Sequence, residues 1–259
     1  MYLLLLIIIV LFFILSCYFN NVSIEQYNQN DVCIYTVVTG GYENKILYNP
    51  REVYGIDAYY VTDDIELAKK AEDNGWISII IPQTKKPKLM NRRLKILHYL
   101  APELNFLKKY DITVYHDGNQ MPENNKLFEV LKNENYDFII FKHPQRKMVR
   151  DEIEVLKKYG YCSNESIDKT WEQYNKSNFQ DDIGLSENRV LIRTTRNKNL
   201  DSLLRNWLES MMKTGCLRDQ IQLQMNLVNS DIKYLLLENS EFPFKPGTYH
   251  SRHWNQQNN

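Results

Sequence analysis

Asp111-Ile-Thr-Val-Tyr-His-Asp-Gly-Asn119 is the stretch from which the fold of this chain is read. Ile112 to Tyr115 are β-branched or aromatic, which suits a short buried strand. The strand runs into His116, Asp117, Gly118 and Asn119, where Gly permits a sharp turn and Asp and Asn favour loop conformations. A carboxylate at the carboxyl end of a central α/β strand stands where open sheets bind their ligands. Asp117 with Asn119 can offer two oxygens to a hard divalent cation, and such a cation can clamp a diphosphate. The plain alternative is an ordinary strand-to-loop turn with a capping Asp.

Upstream, the continuous apolar run Val32 to Val38 reads as a fully buried strand ending in the turn Thr39-Gly-Gly-Tyr42. A second strand, Ala58 to Thr62, meets Asp63-Asp64, and Asp64 can cap a helix over 65–73. Trp76 to Ile81 is a third strand, closed by Pro82. Short apolar strands separated by helical patterns indicate an α/β fold with a largely parallel sheet. A helix from Lys88 to Leu100, stopped by Ala101-Pro102, carries Lys88, Arg92 and Lys95 as one stripe. That stripe is either a solvated face or a cationic wall for diphosphate oxygens.

Downstream of the opening stretch, Leu127 to Asn133 reads as a helix and Tyr136 to Lys142 as a buried strand, ending in Lys142-His-Pro-Gln-Arg146. His143 and Arg146 there again mark the ligand edge of the sheet. Helices are expected over 149–159, which carries Glu152, and over 167–176, and a strand over 189–193. Leu203, Leu204, Trp207, Leu208, Met211 and Met212 form the clearest amphipathic helix, ended by Gly215. Asp219 is placed as an N-cap or as a carboxylate pointing into a cleft. Ile221, Leu223, Met225 and Leu227 alternate, which leaves a strand open for that segment.

The 259 residues suffice for one substantial domain. With 32 basic and 32 acidic side chains, net charge gives no reason to expect nucleic acid as partner. Leu3 to Leu15 is an unbroken apolar run, extended without charge to Phe19. It reads first as an uncleaved signal anchor over 1–19, followed by a polar stem over 20–31 and the domain over 32–259, with a cleaved signal peptide second and a lipoprotein signal ending at Cys17 third. The acidic residues beyond it, Glu25 and Asp31, favour placing the domain across the membrane on the luminal side. Sequons at Asn21, Asn164 and Asn175 are usable only there. Leaving Cys17 aside, Cys33, Cys162 and Cys216 allow one disulfide and a free thiol.

In order, Cys33-Ile-Tyr-Thr-Val-Val-Thr-Gly-Gly-Tyr42, Tyr60-Val-Thr-Asp63, the Lys88…Arg92-Arg93 helix and Tyr115-His-Asp-Gly-Asn119 resemble motifs of the TOD/MUCI glycosyltransferase-like family. Lys142-His-Pro-Gln-Arg146 with Glu152, Ser186-Glu-Asn-Arg-Val-Leu-Ile-Arg193 and Arg218-Asp-Gln220 continue the resemblance, which spans about residues 31 to 229. The family pattern near Asp117 is Trp-x-Asp-Gly; here His116 stands beside the Asp, which puts the local contacts in question. The resemblance implies a GT-A-like single domain with a mostly parallel central sheet flanked by helices, preceded by a transmembrane helix, and a helix from Asp219. It implies a single-pass Golgi or ER protein that moves a sugar from a nucleotide-diphospho-sugar donor to a glycan or glycoconjugate acceptor. On it, Gly40, Gly41 and Tyr42 border the nucleotide, Asp63 binds ribose or base, and Arg92 and Arg93 face the diphosphate. Asp117, Asn119 and His250 would hold Mn²⁺ or Mg²⁺. Asp219 would be the general base, with His143, Arg146 and Glu152 in the donor or acceptor pocket. A hydrolase acting on a membrane sphingolipid, or a non-catalytic carbohydrate-binding domain, are the alternatives for the same cleft.

Overall fold

The computed structural model describes residues 31–247 apart from 124, 125, 134, 178, 180, 182 and 183. The expected anchor, nearly all of the stem, and the tail with His250 lie outside the described residues. Among the described residues no helix is long and apolar enough to cross a membrane.

Strand β1 (Val32–Val38) is buried at every position, as a strand covered on both faces must be. After α1 (Pro50–Tyr54), β2 (Asp57–Thr62) pairs with it in parallel. Helix α2 (Ile65–Asp73), capped by the Asp64 side chain as expected, leads to β3 (Ile77–Ile80), parallel to β2. Helix α3 (Pro87–Leu97) then carries the chain back across the sheet to β4 (Ile112–His116), which pairs in parallel with the free side of β1. The ribbon strand β5 (Gln120–Pro122), α4 (Lys126–Leu131), β6 (Phe138–Lys142), α5 (Val149–Tyr159) and α6 (Asn164–Lys176) follow. The chain continues as β7 (Ser186–Thr194), α7 (Lys198–Thr214), α8 (Asp219–Leu227), β8 (Tyr234–Leu237) and β9 (Phe244–Pro246). The central sheet has the order β3-β2-β1-β4-β7-β6-β8, with only β7 antiparallel to its neighbours. This is the expected mixed α/β architecture with a mostly parallel sheet between helices.

Strand alternation sends successive side chains to opposite faces. On one face Tyr35, Tyr115 and Leu191 meet Leu94 and Ile96 of α3, Trp207 of α7, and Leu223 and Leu227 of α8. On the other, Ile34, Val114 and Ile192 meet Leu67 of α2 and Leu127 of α4. A third cluster joins α5, α6 and α8 through Ile153, Leu156, Ile167, Ile221 and Met225.

That division explains α8. Its apolar residues alternate because Leu223 and Leu227 enter one core while Ile221 and Met225 enter another on the opposite side. The helix is buried almost all round, so no single apolar stripe marks it. Helix α3 also departs from expectation, ending at Leu97 rather than Leu100. The carbonyls of Lys95 and Ile96, which another helical turn would use, accept instead from Arg193 Nη1 at 2.9 Å each. His98 follows with a φ of 36°, and the chain proceeds in 3₁₀ turns over His98–Leu100 and Pro102–Lys109.

Cys162 and Cys216 form a disulfide with Cα atoms 5.4 Å apart, tying the loop before α6 to the one before α8, and Cys33 is a buried free thiol. The bond spans a sequence separation of 54, so chain entropy assigns it about 4 kcal/mol. Replacing both partners by Ala should lower the unfolding free energy by that order in urea titrations; an unchanged midpoint and slope would show that the loop closure contributes nothing.

Candidate functional site

The strand order reverses between β1 and β4. From β1 the chain builds outward through β2 and β3, then returns to β1's other side. The crevice outside the carboxyl ends of two such strands is where doubly wound sheets bind ligands. Here the loops after them, 39–43 and 117–119, wall a cavity of about 100 Å³ together with Lys88, Asn91 and Arg92 of α3.

Each wall is held by specific bonds. Gly40 and Gly41 have φ of 64° and 66°, a region costly for other residues. The Gly40 amide donates to both Asp63 carboxylate oxygens at 2.9 and 3.1 Å, fixing the loop. A side chain at Gly118 would lie 2.7 Å from Val38 Cγ2, so only glycine lets that loop approach β1. Asn91 Nδ2 donates to the Val37 carbonyl (2.7 Å) and Thr39 Oγ1 to that of Pro87 (2.9 Å), pinning α3 along β1. Its basic stripe therefore faces the crevice, which decides against the solvated face.

The stripe meets two carboxylates from distant parts of the chain. Lys95 Nζ, only 2% exposed, lies 3.2 Å from Asp117 Oδ1 and 2.8 Å from Asp219 Oδ2. Tyr115 donates its hydroxyl to the same Asp117 oxygen at 2.7 Å. Arg92 Nη1 adds a longer contact to Asp219 at 3.8 Å. Burial alone would raise the pKa of Asp219, but Lys95 and Arg92 overcome it and hold the carboxyl well below the usual range. Lys88 has no hydrogen-bonding or ion-pair partner among the described residues, and burial together with the Arg92 and Arg218 guanidiniums lowers its pKa. The Lys88 ammonium and Arg92 guanidinium on the α3 wall suit an anion, while Asp117 and Glu43 line the same cavity.

A second charged group adjoins it. Glu152, fully buried, pairs with Arg146 Nε and, at 3.0 Å, with Arg218 Nε. Burial and the nearby Arg146, Arg218 and Arg189 keep His143 neutral, with its pKa held down to about 4. Its Nε2 is 3.8 Å from Glu187 Oε2, and Glu187 Oε1 pairs with Arg189 Nε at 3.1 Å. Burial raises the Glu187 pKa, and the Asp117 charge adds to the effect.

The expected site residues thus divide. Tyr42, Arg92, Asp117 and Asn119 line the cavity. Gly40, Gly41 and Asp63 border an adjoining open hollow of about 560 Å³. Asp219 touches Lys95 beneath the cavity, while His143, Arg146 and Glu152 form the neighbouring group. Arg93 is not brought in: its guanidinium makes two 2.9 Å bonds to Glu103 on another side of α3. Lys95 and Lys88 were legible as part of the stripe. Glu43, which also lines the cavity, and Glu187 carried no distinguishing signal beyond the motif around Glu187.

For a divalent cation, the described residues fit poorly. Asp117 Oδ1 already accepts from Lys95 and Tyr115, and Asn119 Oδ1 accepts from Gln120 Nε2 at 2.7 Å. Among the described residues no three His, Cys, Asp or Glu side chains converge at metal-binding spacing. His116, beside Asp117, points to the opposite face of β4, where it bonds Tyr48 Oη (2.7 Å) and packs on Phe244 (4.7 Å between ring centres).

Comparison with known proteins yields no family model that matches the chain and no curated protein that matches it.

Burial holds the pKa of His116 down to about 4. An unfolded histidine titrates near 6.5, so as pH falls from about 6.5 to about 4 the unfolded chain takes up a proton that folded His116 refuses. Stability contributed by neutral His116 is therefore complete above that window and declines through it, by up to ~1.4 kcal/mol per pH unit. Urea unfolding at a series of pH values should show a shallower decline for His116→Gln than for the native chain; identical slopes would refute a neutral buried imidazole.

Proposed function

We propose that this chain is a glycosyltransferase that binds a nucleotide-diphospho-sugar and moves its sugar to a hydroxyl of a glycan or glycoconjugate. The observation that carries this reading is the cation-walled cavity between the carboxyl ends of β1 and β4, with an open hollow beside it. The diphosphate occupies the cavity against Arg92 and Lys88, whose charge stabilises the leaving group as its bond to the anomeric carbon breaks. The nucleoside extends toward Gly40, Gly41 and Asp63. The motif order set out above supports the same assignment.

An acceptor hydroxyl attacking the anomeric carbon must lose its proton. Asp219 is poorly suited to take it, because Lys95 and Arg92 stabilise its ionised form. Glu187 stands at the same edge of the sheet with its proton affinity raised, closer to what a general base requires. Glu152 lies too deeply between two guanidiniums to reach substrate and positions Arg146 and Arg218. The Cys162–Cys216 disulfide and the exposed sequon residues Asn164 and Asn175 on α6 support an oxidising luminal compartment, reached through the apolar N-terminal segment as a membrane anchor.

The test is a panel of nucleotide-diphospho-sugars on the full-length chain in detergent. A donor at 100-fold over its Kd should stabilise the fold by roughly 2.7 kcal/mol. Arg92→Ala should weaken that donor about tenfold or more, the loss of a charge-assisted hydrogen bond. Glu187→Gln should keep the thermal shift while lowering kcat by about 10²- to 10⁴-fold. A broad panel giving neither shift nor turnover would remove the reading.

A further inference from the structure

Lys95 sits on Oδ1 of Asp117, the carboxylate expected to hold a divalent cation. Its ammonium, nearly inaccessible, lies 3.2 Å from Asp117 and 2.8 Å from Asp219. Two further contacts keep it there. Its aliphatic stem brings Nζ over the Tyr115 ring, 5.1 Å from the centroid. Its backbone carbonyl accepts from Tyr35 Oη (3.1 Å) and Arg193 Nη1 (2.9 Å), so the residue cannot slide along the crevice.

A metal ion coordinated by Asp117 would meet this ammonium at close range in a buried setting, where like charges repel strongly. Lys95 also removes the need for one. With Lys88 and Arg92 it supplies three cationic groups against the carboxylates of Asp117, Asp219 and Glu43, so an incoming anion does not meet a net negative wall. Arg92, whose Nε and Nη1 are held by the Leu217 carbonyl and Asn91 Oδ1 and whose Nη2 has no hydrogen bond among the described residues, and Lys88, as a point charge, then remain to contact phosphate oxygens.

We propose that the cavity between β1 and β4 binds a diphosphate group without a divalent metal: Lys88 and Arg92 make the direct contacts, and Lys95 serves as the fixed counter-charge to Asp117 and Asp219. The inference rests on the diphosphate site of the proposed function but does not depend on which sugar or nucleoside is attached.

Inorganic pyrophosphate is the probe, titrated calorimetrically into the full-length chain in excess EDTA and separately in MnCl₂. The same affinity in both buffers is expected, and Lys88→Ala should weaken it about tenfold or more in each. Lys88 is half-buried with no hydrogen-bonding or ion-pair partner among the described residues, so its removal should leave the fold intact, which circular dichroism checks. Lys95→Met, wherever circular dichroism shows it folded, should bind pyrophosphate poorly in EDTA and regain affinity with Mn²⁺, because two carboxylates are then open to the ion. Binding by the native chain that appears only with Mn²⁺ overturns the inference and leaves the transferase reading standing. Native affinity in the Lys88→Ala chain also overturns it. No binding in either buffer overturns both.

Discussion

The contact on which the site depends is the buried ammonium of Lys95 between Asp117 and Asp219. Its two partners come from the loop after β4 and from the start of α8, so one charge on α3 draws in a segment more than a hundred residues further along the chain. Two carboxylates this close would repel each other, and a lone ammonium this deep would be strongly destabilised. Removing one partner of such a buried set costs about 3–5 kcal/mol, chiefly because of the charge left behind. Such a set is weak evidence for added stability, but it specifies one arrangement of the three segments.

Arg193 makes that arrangement reachable. It is fully buried with no carboxylate beside it among the described residues, and burial lowers its pKa. Its partners are the Lys95 and Ile96 carbonyls and the Tyr35 hydroxyl. The end of α3 supplies the negative pole that the guanidinium needs, and the guanidinium supplies the donors that the end of α3 lacks. With Asn91 and Thr39 holding the other end of the helix to β1, the angle of α3 is set at both ends. Lys88, Arg92 and Lys95 then face the crevice rather than solvent.

How much of this could be read beforehand follows from the kind of interaction involved. β1 was legible because every one of its positions is buried, and α2 because Asp64 caps it locally. Helix α8 was hidden in the residues alone, since two cores draw on its opposite sides and produce an alternating pattern. The ribbon of β5 and β9 pairs residues more than a hundred positions apart, with no local signature. At the site, Asp117 and Arg92 were legible because strand ends and helix stripes are local patterns. That Arg93 turns to Glu103, or that Asp117 faces an ammonium, depends on tertiary geometry that spacing does not encode.

The same geometry separates two carboxylates that look equivalent in sequence. Asp219 begins α8, where the helix dipole favours its charge, and it faces Lys95 and Arg92; every neighbour stabilises its ionised form. Glu187 is the second residue of β7, where burial and the charge of Asp117 oppose ionisation and Arg189 pairs with it at 3.1 Å. Opposite environments push the two acidic groups in opposite directions, one held ionised and the other with its proton affinity raised. Lys95 underlies both assignments: it fixes Asp219 as an anion, and by pairing with Asp117 it moderates the field that raises Glu187.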